Sequence, residues 1–400
     1  MIQFKALAQT YGTPLYVYDF DAMKEQFDAL KEAFRGRKSI LAYAVKANSN
    51  LSVIKHFAAQ GSGADCVSIG EVRRALMAGV PKYCVIFSGV GKRDDEIREA
   101  IESDILYINV ESEGELSRVE AIARELKVKA RISIRVNPNI DPQTHPYIST
   151  GLHDNKFGVE INSAKRMYIQ AKNSDNLDPV GIHFHIGSQL TQLEPIYEAA
   201  VIVADLLRSL QTIDIDLKFF DIGGGLGVRY DDEVTITPYD YAQAILAALK
   251  GIDVTIICEP GRFLTANAGY FLTKVLYEKQ NGAKRFVVVD GAMNDLIRPS
   301  LYNAYHRIEA VNKTGEATPV DVVGPVCESG DFLAKNYPLP AMEHNDLLVV
   351  HSAGAYGFGM GSNYNTRGRS AEVAVENGEA RLIRQRESFE DLIALEREYL

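Results

Sequence analysis

The stretch Phe219-Phe220-Asp221-Ile222-Gly223-Gly224-Gly225-Leu226-Gly227 decides the fold. It is a short apolar run that ends in a polar, glycine-rich tail. Three other runs end in the same manner: Tyr43-Ala44-Val45-Lys46-Ala47-Asn48, His183-Phe184-His185-Ile186-Gly187-Ser188 and Cys258-Glu259-Pro260-Gly261-Arg262. Outward from these, β-rich runs recur at 39–46, 64–68, 85–88, 105–110, 130–137, 180–187, 219–224 and 255–259. Helical patterns fall between them at 51–60, 70–78, 93–101, 113–126, 196–210 and 238–249, after a first at 22–34. About eight β–α repeats over roughly 240 residues have the length and rhythm of a (β/α)8 barrel. The runs are continuous rather than alternating, as strands buried on both faces are. A doubly wound sheet is the competing architecture. In a barrel every tail lies at the C-terminal face, where active sites sit.

After about residue 266 the rhythm changes. Short β-rich runs at 271–277, 286–290, 319–323, 347–350 and 371–375 follow without strong helices between them. The N-terminal run at 14–18, Pro-Leu-Tyr-Val-Tyr, reads the same way and is expected to join their sheet. The expected organisation is therefore α/β: a (β/α)8 barrel over 25–265, and a mostly β domain built from 1–24 and 266–400.

Composition bounds the partners. The chain has 400 residues, 46% hydrophobic and 24% charged, which is ordinary globular usage. Lys and Arg number 43 against 53 Asp and Glu, a net charge of −10. An acidic protein is a poor partner for nucleic acid or an anionic membrane surface. No run approaches about 18 uninterrupted apolar residues, so no transmembrane helix is expected. The N-terminal stretch lacks the basic and apolar regions of a secretory signal, and the cytoplasm is the expected location. Cys66, Cys84, Cys258 and Cys327 are far apart and form no C-x-x-C pair. Neither a disulfide framework nor a structural zinc site is expected.

Each motif has a chemical reading and a plain one. A lysine at the end of an apolar strand, Lys46, is a candidate covalent nucleophile if burial lowers its pKa, or an edge lysine reaching solvent. The Gly223–Gly225 turn lets backbone N–H groups close around a phosphate, or is a simple strand-to-helix turn. It does not match G-x-G-x-x-G, because the sixth position is Val228. His183 and His185 fall on one face of a strand; a metal pair is one reading, yet no complementary cluster is obvious in the sequence. Core packing and contact with a ligand are the others. Glu259 and Arg262 are either a local ion pair or a carboxylate for a cationic ring nitrogen and a guanidinium for an anion. Cys327, in Cys-Glu-Ser-Gly-Asp, is a buried structural thiol or a proton donor.

Taken together, these segments resemble one family. They are YAVKAN at 43–48, GADCVSIGE at 63–71, HFHIGSQ at 183–189, DIGGGLG at 221–227, EPGR at 259–262, MNDLIRPSLYNAYH at 293–306, GPVCESGD at 324–331 and GAYG at 354–357. The chain resembles the fold-type III decarboxylases that use pyridoxal 5'-phosphate, and within them the branch acting on meso-2,6-diaminopimelate. The likeness runs over essentially the whole chain. One small departure is Gly291-Ala292 before Met293, where the family more often has the two small residues reversed.

The resemblance implies roles. Lys46 would hold the cofactor as a Schiff base and His185 would stack on its ring. Gly223, Gly224, Gly225, Gly261, Ser188 and Arg262 would surround the phosphate, with Tyr356 adding a hydroxyl. Glu259 would pair with the pyridine nitrogen and keep it protonated, which makes a better electron sink. Fold-type III racemases carry arginine there, so the carboxylate favours decarboxylation. Arg262, Arg298 and Tyr302 would bind the substrate's far carboxylate and Glu328 its far ammonium, with Tyr356 also at the substrate. Cys327 would protonate the α-carbon. The Cys-Glu segment and Tyr356 would come from a partner subunit, which implies a homodimer with shared active sites.

Other readings of the sequence stay open. One is a decarboxylase of another basic amino acid, of the ornithine, arginine or carboxynorspermidine type. Ornithine and arginine lack the far carboxylate, so Arg262, Arg298 and Tyr302 would be misplaced for them. A second is a non-catalytic homologue that only binds pyridoxal phosphate. A third is a metal-dependent barrel hydrolase built on His183 and His185.

Overall fold

The computed structural model describes residues 2–141 and 155–400. The chain divides into two compact units. One comprises Gln26–Val228 and Val234–Phe263; the other comprises the residues up to Glu25 together with Arg229–Glu233 and Leu264–Leu400.

The first unit is a closed ring of parallel strands, Ser39–Ala44, Gly63–Cys66, Val85–Phe87, Tyr107–Val110, Ala130–Arg135, Leu177–His183, Phe219–Asp221 and Thr255–Cys258. The last pairs with the first, Ser39 opposite Ile256 and Leu41 opposite Cys258, so the sheet is a barrel and not an open doubly wound one. Ala42, Ile86, Leu106, Tyr107, Val180 and Ile257 form a buried apolar cluster within it.

Local chemistry starts the helices that follow the strands. Asn50, Ser68, Ser112 and Thr237 each accept a backbone N–H from the first turn of their helix. In Ser68-Ile-Gly-Glu71 the glutamate also reaches back to the Val67 N–H at 2.8 Å, and Glu115 does the same to Glu111 at 2.8 Å. This small device ends one strand and begins the next helix, and it fixes where the chain turns at the barrel mouth.

The second unit is a mixed sheet. Its order runs Phe332–Leu339, Thr318–Val323, Lys284–Val289, Gly269–Asn281, Leu15–Asp19, Ala371–Glu376, Glu379–Arg384, with Leu347–Val350 and Ile308–Ala310 attached alongside. The N-terminal strand joins this sheet, as its composition suggested. Leu15–Asp19 lies antiparallel to Gly269–Leu272 and parallel to Ala371–Val375. Leu15, Val17, Leu272, Val349 and Val373 pack there in one buried cluster.

Some elements were not anticipated. The helix Ile161–Lys172 carries buried Ala164, Met167, Tyr168 and Ala171 at helical spacing. The hairpin Ala371–Glu376 to Glu379–Arg384 turns on Asn377-Gly378, with φ of +53° and +80°. An Asn-Gly pair is a strong short-range hairpin signal. Among the described residues no helix is long and apolar enough to cross a membrane.

Close backbone packing explains part of the GAYG segment. The Ala353 N–H donates to the Gly269 carbonyl and the Gly354 N–H to that of Ala266. A Cβ on Gly354 would overlap the Thr265 carbonyl oxygen, which as backbone has little room to move. Gly354→Ala should therefore destabilise the protein by about 1–3 kcal/mol, read as a lower denaturant midpoint. An unchanged midpoint would show that the backbone yields.

Candidate active site

The four glycine-rich tails are stitched to one another at the C-terminal ends of their strands. The Leu190 N–H donates to the Gly225 carbonyl at 2.8 Å and Glu259 N–H to Gly223 at 2.8 Å. Ala44 N–H donates to Pro260 at 3.1 Å, and Gly224 N–H to His185 Nδ1 at 3.3 Å. Side chains at 224 and 225 would overlap the carbonyl oxygens of Glu259 and Gly187. Gly223 and Gly225 also have φ of +64° and +105°, where only glycine is at ease. The glycines are there because neighbouring backbones nearly touch.

Lys46 lies in a single 3-10 turn, Val45–Ala47, just past its strand. The strand ends at Ala44, because the turn bond from Asn48 N–H to Val45 O curls the chain. Its ammonium is 3.3 Å from Asp65 Oδ2 on the next strand, and its side chain keeps 38% exposure. Of the two readings of Lys46, the fold gives the lysine that reaches solvent, with a carboxylate partner, rather than one desolvated on a strand. Asp65 itself is fully buried, and burial followed by the charge of Glu259 raises its pKa.

His183 Nε2 lies 3.4 Å from Glu259 Oε2, both buried. Burial opposes ionisation of Glu259, but His183, through its charge and hydrogen bond, and Lys46 outweigh it and hold the carboxyl down to about 2. Asp221 accepts the Tyr107 hydroxyl at 2.8 Å and the Gly223 N–H at 3.0 Å. Burial and the charge of Glu259 push the Asp221 carboxyl well up. These buried carboxyls divide the work by environment: Glu259 is the anion, and Asp221 leans towards the acid form. His185 is half-buried, and burial, then Arg135 and Lys46, keep its imidazole neutral.

Arg262 is buried and donates to Ser188 Oγ from Nε at 3.3 Å and from Nη2 at 3.0 Å. Gly261 faces the Lys46 turn, where an added Cβ would come within 3.0 Å of Ala47 Cβ. The barrel unit thus brings together Lys46, His185, Ser188, Gly223, Gly224, Gly225, Glu259, Gly261 and Arg262 through bonds among these tails. Asp65, Asp221 and Tyr107 belong to the same constellation and had not been singled out as site residues. A polar residue at an inward position of an apolar strand was their available signal.

The other unit carries the remaining candidates. Arg298 is buried and opens the short helix Arg298–Tyr302. Tyr302 and Tyr356 are half-buried, and Tyr356 has φ +55°, uncommon for a bulky side chain. Cys327 and Glu328 are exposed. The Cys327 N–H donates to Asn365 Oδ1 at 2.9 Å, and Asp331 receives the Val326 N–H at 2.7 Å, which shapes the loop. Cys66 and Cys258 are buried, so Cys327 is the accessible thiol among the motif cysteines.

The site fits pyridoxal phosphate by an acceptor. Glu259 Oε1 is buried and receives no N–H or hydroxyl bond among the described residues, with the Asp221 carboxyl beside Glu259. A buried, ionised oxygen left open costs free energy unless something donates to it. A protonated ring nitrogen is such a donor. A second arrangement is present: His183, Asp221 and Glu259 place ligand atoms within 4.8 Å of one another, close enough to hold a metal ion. His185, the other half of the H-x-H pair, is bound to Gly224 instead and is not part of that group.

The ionisation of Glu259 makes an acid-stability prediction. A carboxyl held at about 2 in the fold, against an ordinary 4.5, stabilises the protein fully above 4.5 and loses that effect as pH falls towards 2. The stability gap between wild type and Glu259→Gln should narrow over that window in acid unfolding. A gap independent of pH would show that Glu259 is not held ionised.

Comparison with known proteins agrees with this chemistry. The model of the pyridoxal binding domain of pyridoxal-dependent decarboxylases matches residues 20–266. The chain is similar to the diaminopimelate decarboxylase of Campylobacter jejuni, 62% identical over 400 residues and all of both chains. It is similar to the crystal structure of diaminopimelate decarboxylase from Helicobacter pylori complexed with L-lysine, at 55% identity, TM-score 0.97 and full coverage of both chains. A lysine/ornithine decarboxylase from Vibrio vulnificus complexed with putrescine is more distant, at 25% identity and TM-score 0.83 over 94% of this chain and 98% of that one. The chain belongs to the pyridoxal-dependent decarboxylases, in the diaminopimelate decarboxylase family.

Proposed function

We propose that this chain converts meso-2,6-diaminopimelate to L-lysine and CO2, the last step of lysine biosynthesis, with pyridoxal 5'-phosphate as cofactor. The observation that carries the reading is Glu259, a buried anion with one oxygen open, set among the stitched tails at the barrel mouth. Bound there, pyridoxal phosphate supplies an electron sink for the pair released when CO2 departs. Glu259 keeps a proton on the ring nitrogen. Lys46 is the covalent anchor of the cofactor, and Asp65 balances its charge when it is free. Neutral His185 would stack on the ring, and Gly223, Gly224, Gly225, Gly261, Ser188, Arg262 and Tyr356 would hold the phosphate.

Substrate choice rests on the far end. Arg262, Arg298 and Tyr302 take the far carboxylate, Glu328 the far ammonium, and Tyr356 adds a hydroxyl. Cys327 delivers a proton from Sγ to the α-carbon. The exposure of Cys327 and Glu328 supports their use by a second copy, in a homodimer with shared sites. The free thiols support a reducing compartment, the cytoplasm.

The test is a substrate panel with the purified, cofactor-loaded protein. CO2 and lysine should appear with diaminopimelate. Turnover of ornithine or arginine alone would overturn the substrate assignment. A colourless protein carrying zinc at His183, Asp221 and Glu259 would overturn the cofactor assignment in favour of a metal-dependent hydrolase. Lys46→Ala should lose the visible band that borohydride removes from the wild type. Cys327→Ala should keep that band and slow turnover by about 10²-fold or more, the usual weight of a positioned proton donor; full activity would remove its role.

A further inference from the structure

We propose that His306 is a positioning residue for Arg298: it fixes the guanidinium in one orientation and thereby sets how tightly the substrate's far carboxylate is held. The inference rests on the reading of Arg298 just given and names a residue that acts through it.

After the helix Arg298–Tyr302 the backbone turns through Asn303, which has φ +51°, and returns as the strand Ile308–Ala310. That strand pairs with Leu347–Val350, Ile308 opposite Val350, and the His351 N–H donates to the Arg307 carbonyl at 2.8 Å. The turn brings His306 back beside Arg298, and the paired strand anchors it there.

Hydrogen-bond chemistry then fixes the ring. His306 Nδ1 is 2.9 Å from the His351 carbonyl oxygen, which only accepts. Nδ1 therefore carries the hydrogen. Nε2 of the neutral ring keeps its lone pair, and it faces Arg298 Nε at 3.3 Å, a group that only donates. Both contacts require the same tautomer and the same charge. His306 is 1% exposed, so no solvent route offers an alternative arrangement.

The faces of the guanidinium are set as well. Its carbon lies 5.0 Å from the ring centre of Tyr230 and 5.9 Å from that of Tyr302. Tyr230 in turn meets the His306 ring edge-on, at 5.6 Å and 82°. With Nε engaged by His306 and a face against Tyr230, the plane of the guanidinium is defined. Its two-nitrogen edge is what grips a carboxylate bidentately. An arginine aligned beforehand loses less rotamer freedom on binding than one that must be ordered by the ligand.

The experiment compares His306→Leu, which removes the acceptor, with His306→Gln, whose amide oxygen reaches the position of Nε2. In the cofactor-loaded enzyme, KM for diaminopimelate should rise about tenfold or more in the leucine variant, the usual effect of losing a hydrogen bond to a charged group. kcat should move less, and the glutamine variant should stay near wild type. L-lysine keeps the far amino-acid head, so its inhibition constant should rise in parallel with KM. In an Arg298→Gln background the leucine change should add nothing further. Matching melting temperatures confirm that the variants fold; if the leucine variant does not fold, His306→Phe, which also lacks an acceptor, takes its place with and without Arg298→Gln. An unchanged KM in folded His306→Leu, or a rise that simply adds to that of Arg298→Gln, overturns the inference. If Arg298→Gln itself leaves KM unchanged, the reading of the far-carboxylate site fails instead.

Discussion

An ionised carboxylate buried inside a protein is expensive, and the barrel unit is arranged around one. Glu259 keeps its charge because His183 bonds to one oxygen and Lys46 adds positive potential. The same charge forces its neighbours to adapt. Burial first, and then the charge of Glu259, raises the pKa of both Asp65 and Asp221. Tyr107 and the Gly223 N–H then occupy the oxygens of Asp221, which ties the electrostatics to the backbone of the glycine turn.

The constraint spreads through the tails. The backbone of Glu259 bonds to Gly223, Gly225 bonds to Leu190, and Ala44 bonds to Pro260. Moving any one of these strand ends would move Glu259 and the Lys46 turn with it. The glycines therefore have two linked functions. They allow the backbones to approach, and they tie the turn to the side chains around it, the Gly223 N–H to Asp221 and the Gly224 N–H to His185.

Much of this was legible in the sequence, and the limits have physical causes. The barrel followed from apolar runs at a steady interval, because strands buried on both faces need continuous apolar residues. The N-terminal strand and the second sheet followed from composition. The helix Ile161–Lys172 did not, because its apolar positions sit among Lys, Arg, Gln and Asn. The placement of Lys46 was misjudged by one short turn, since a 3-10 turn and a strand end share the same residue types. The carboxyl group around His183 was invisible, because Asp221 and Glu259 come from different strands and meet only when the ring closes. Likewise nothing in the spacing of Arg298 and His306 announces that one would hold the other, since a turn at Asn303 and a paired strand make that contact.

The sequence by itself determined the repeat, the two kinds of sheet, and the residue types offered at each strand end. Those properties are local: periodicity, turn-forming glycines and the chemistry of single side chains. The tertiary structure decided which group is charged, which is neutral and which hydrogen carries each bond. Those properties depend on burial and on neighbours supplied by distant segments, so Glu259 is an anion and Asp221 tends towards an acid only after the barrel has closed around them.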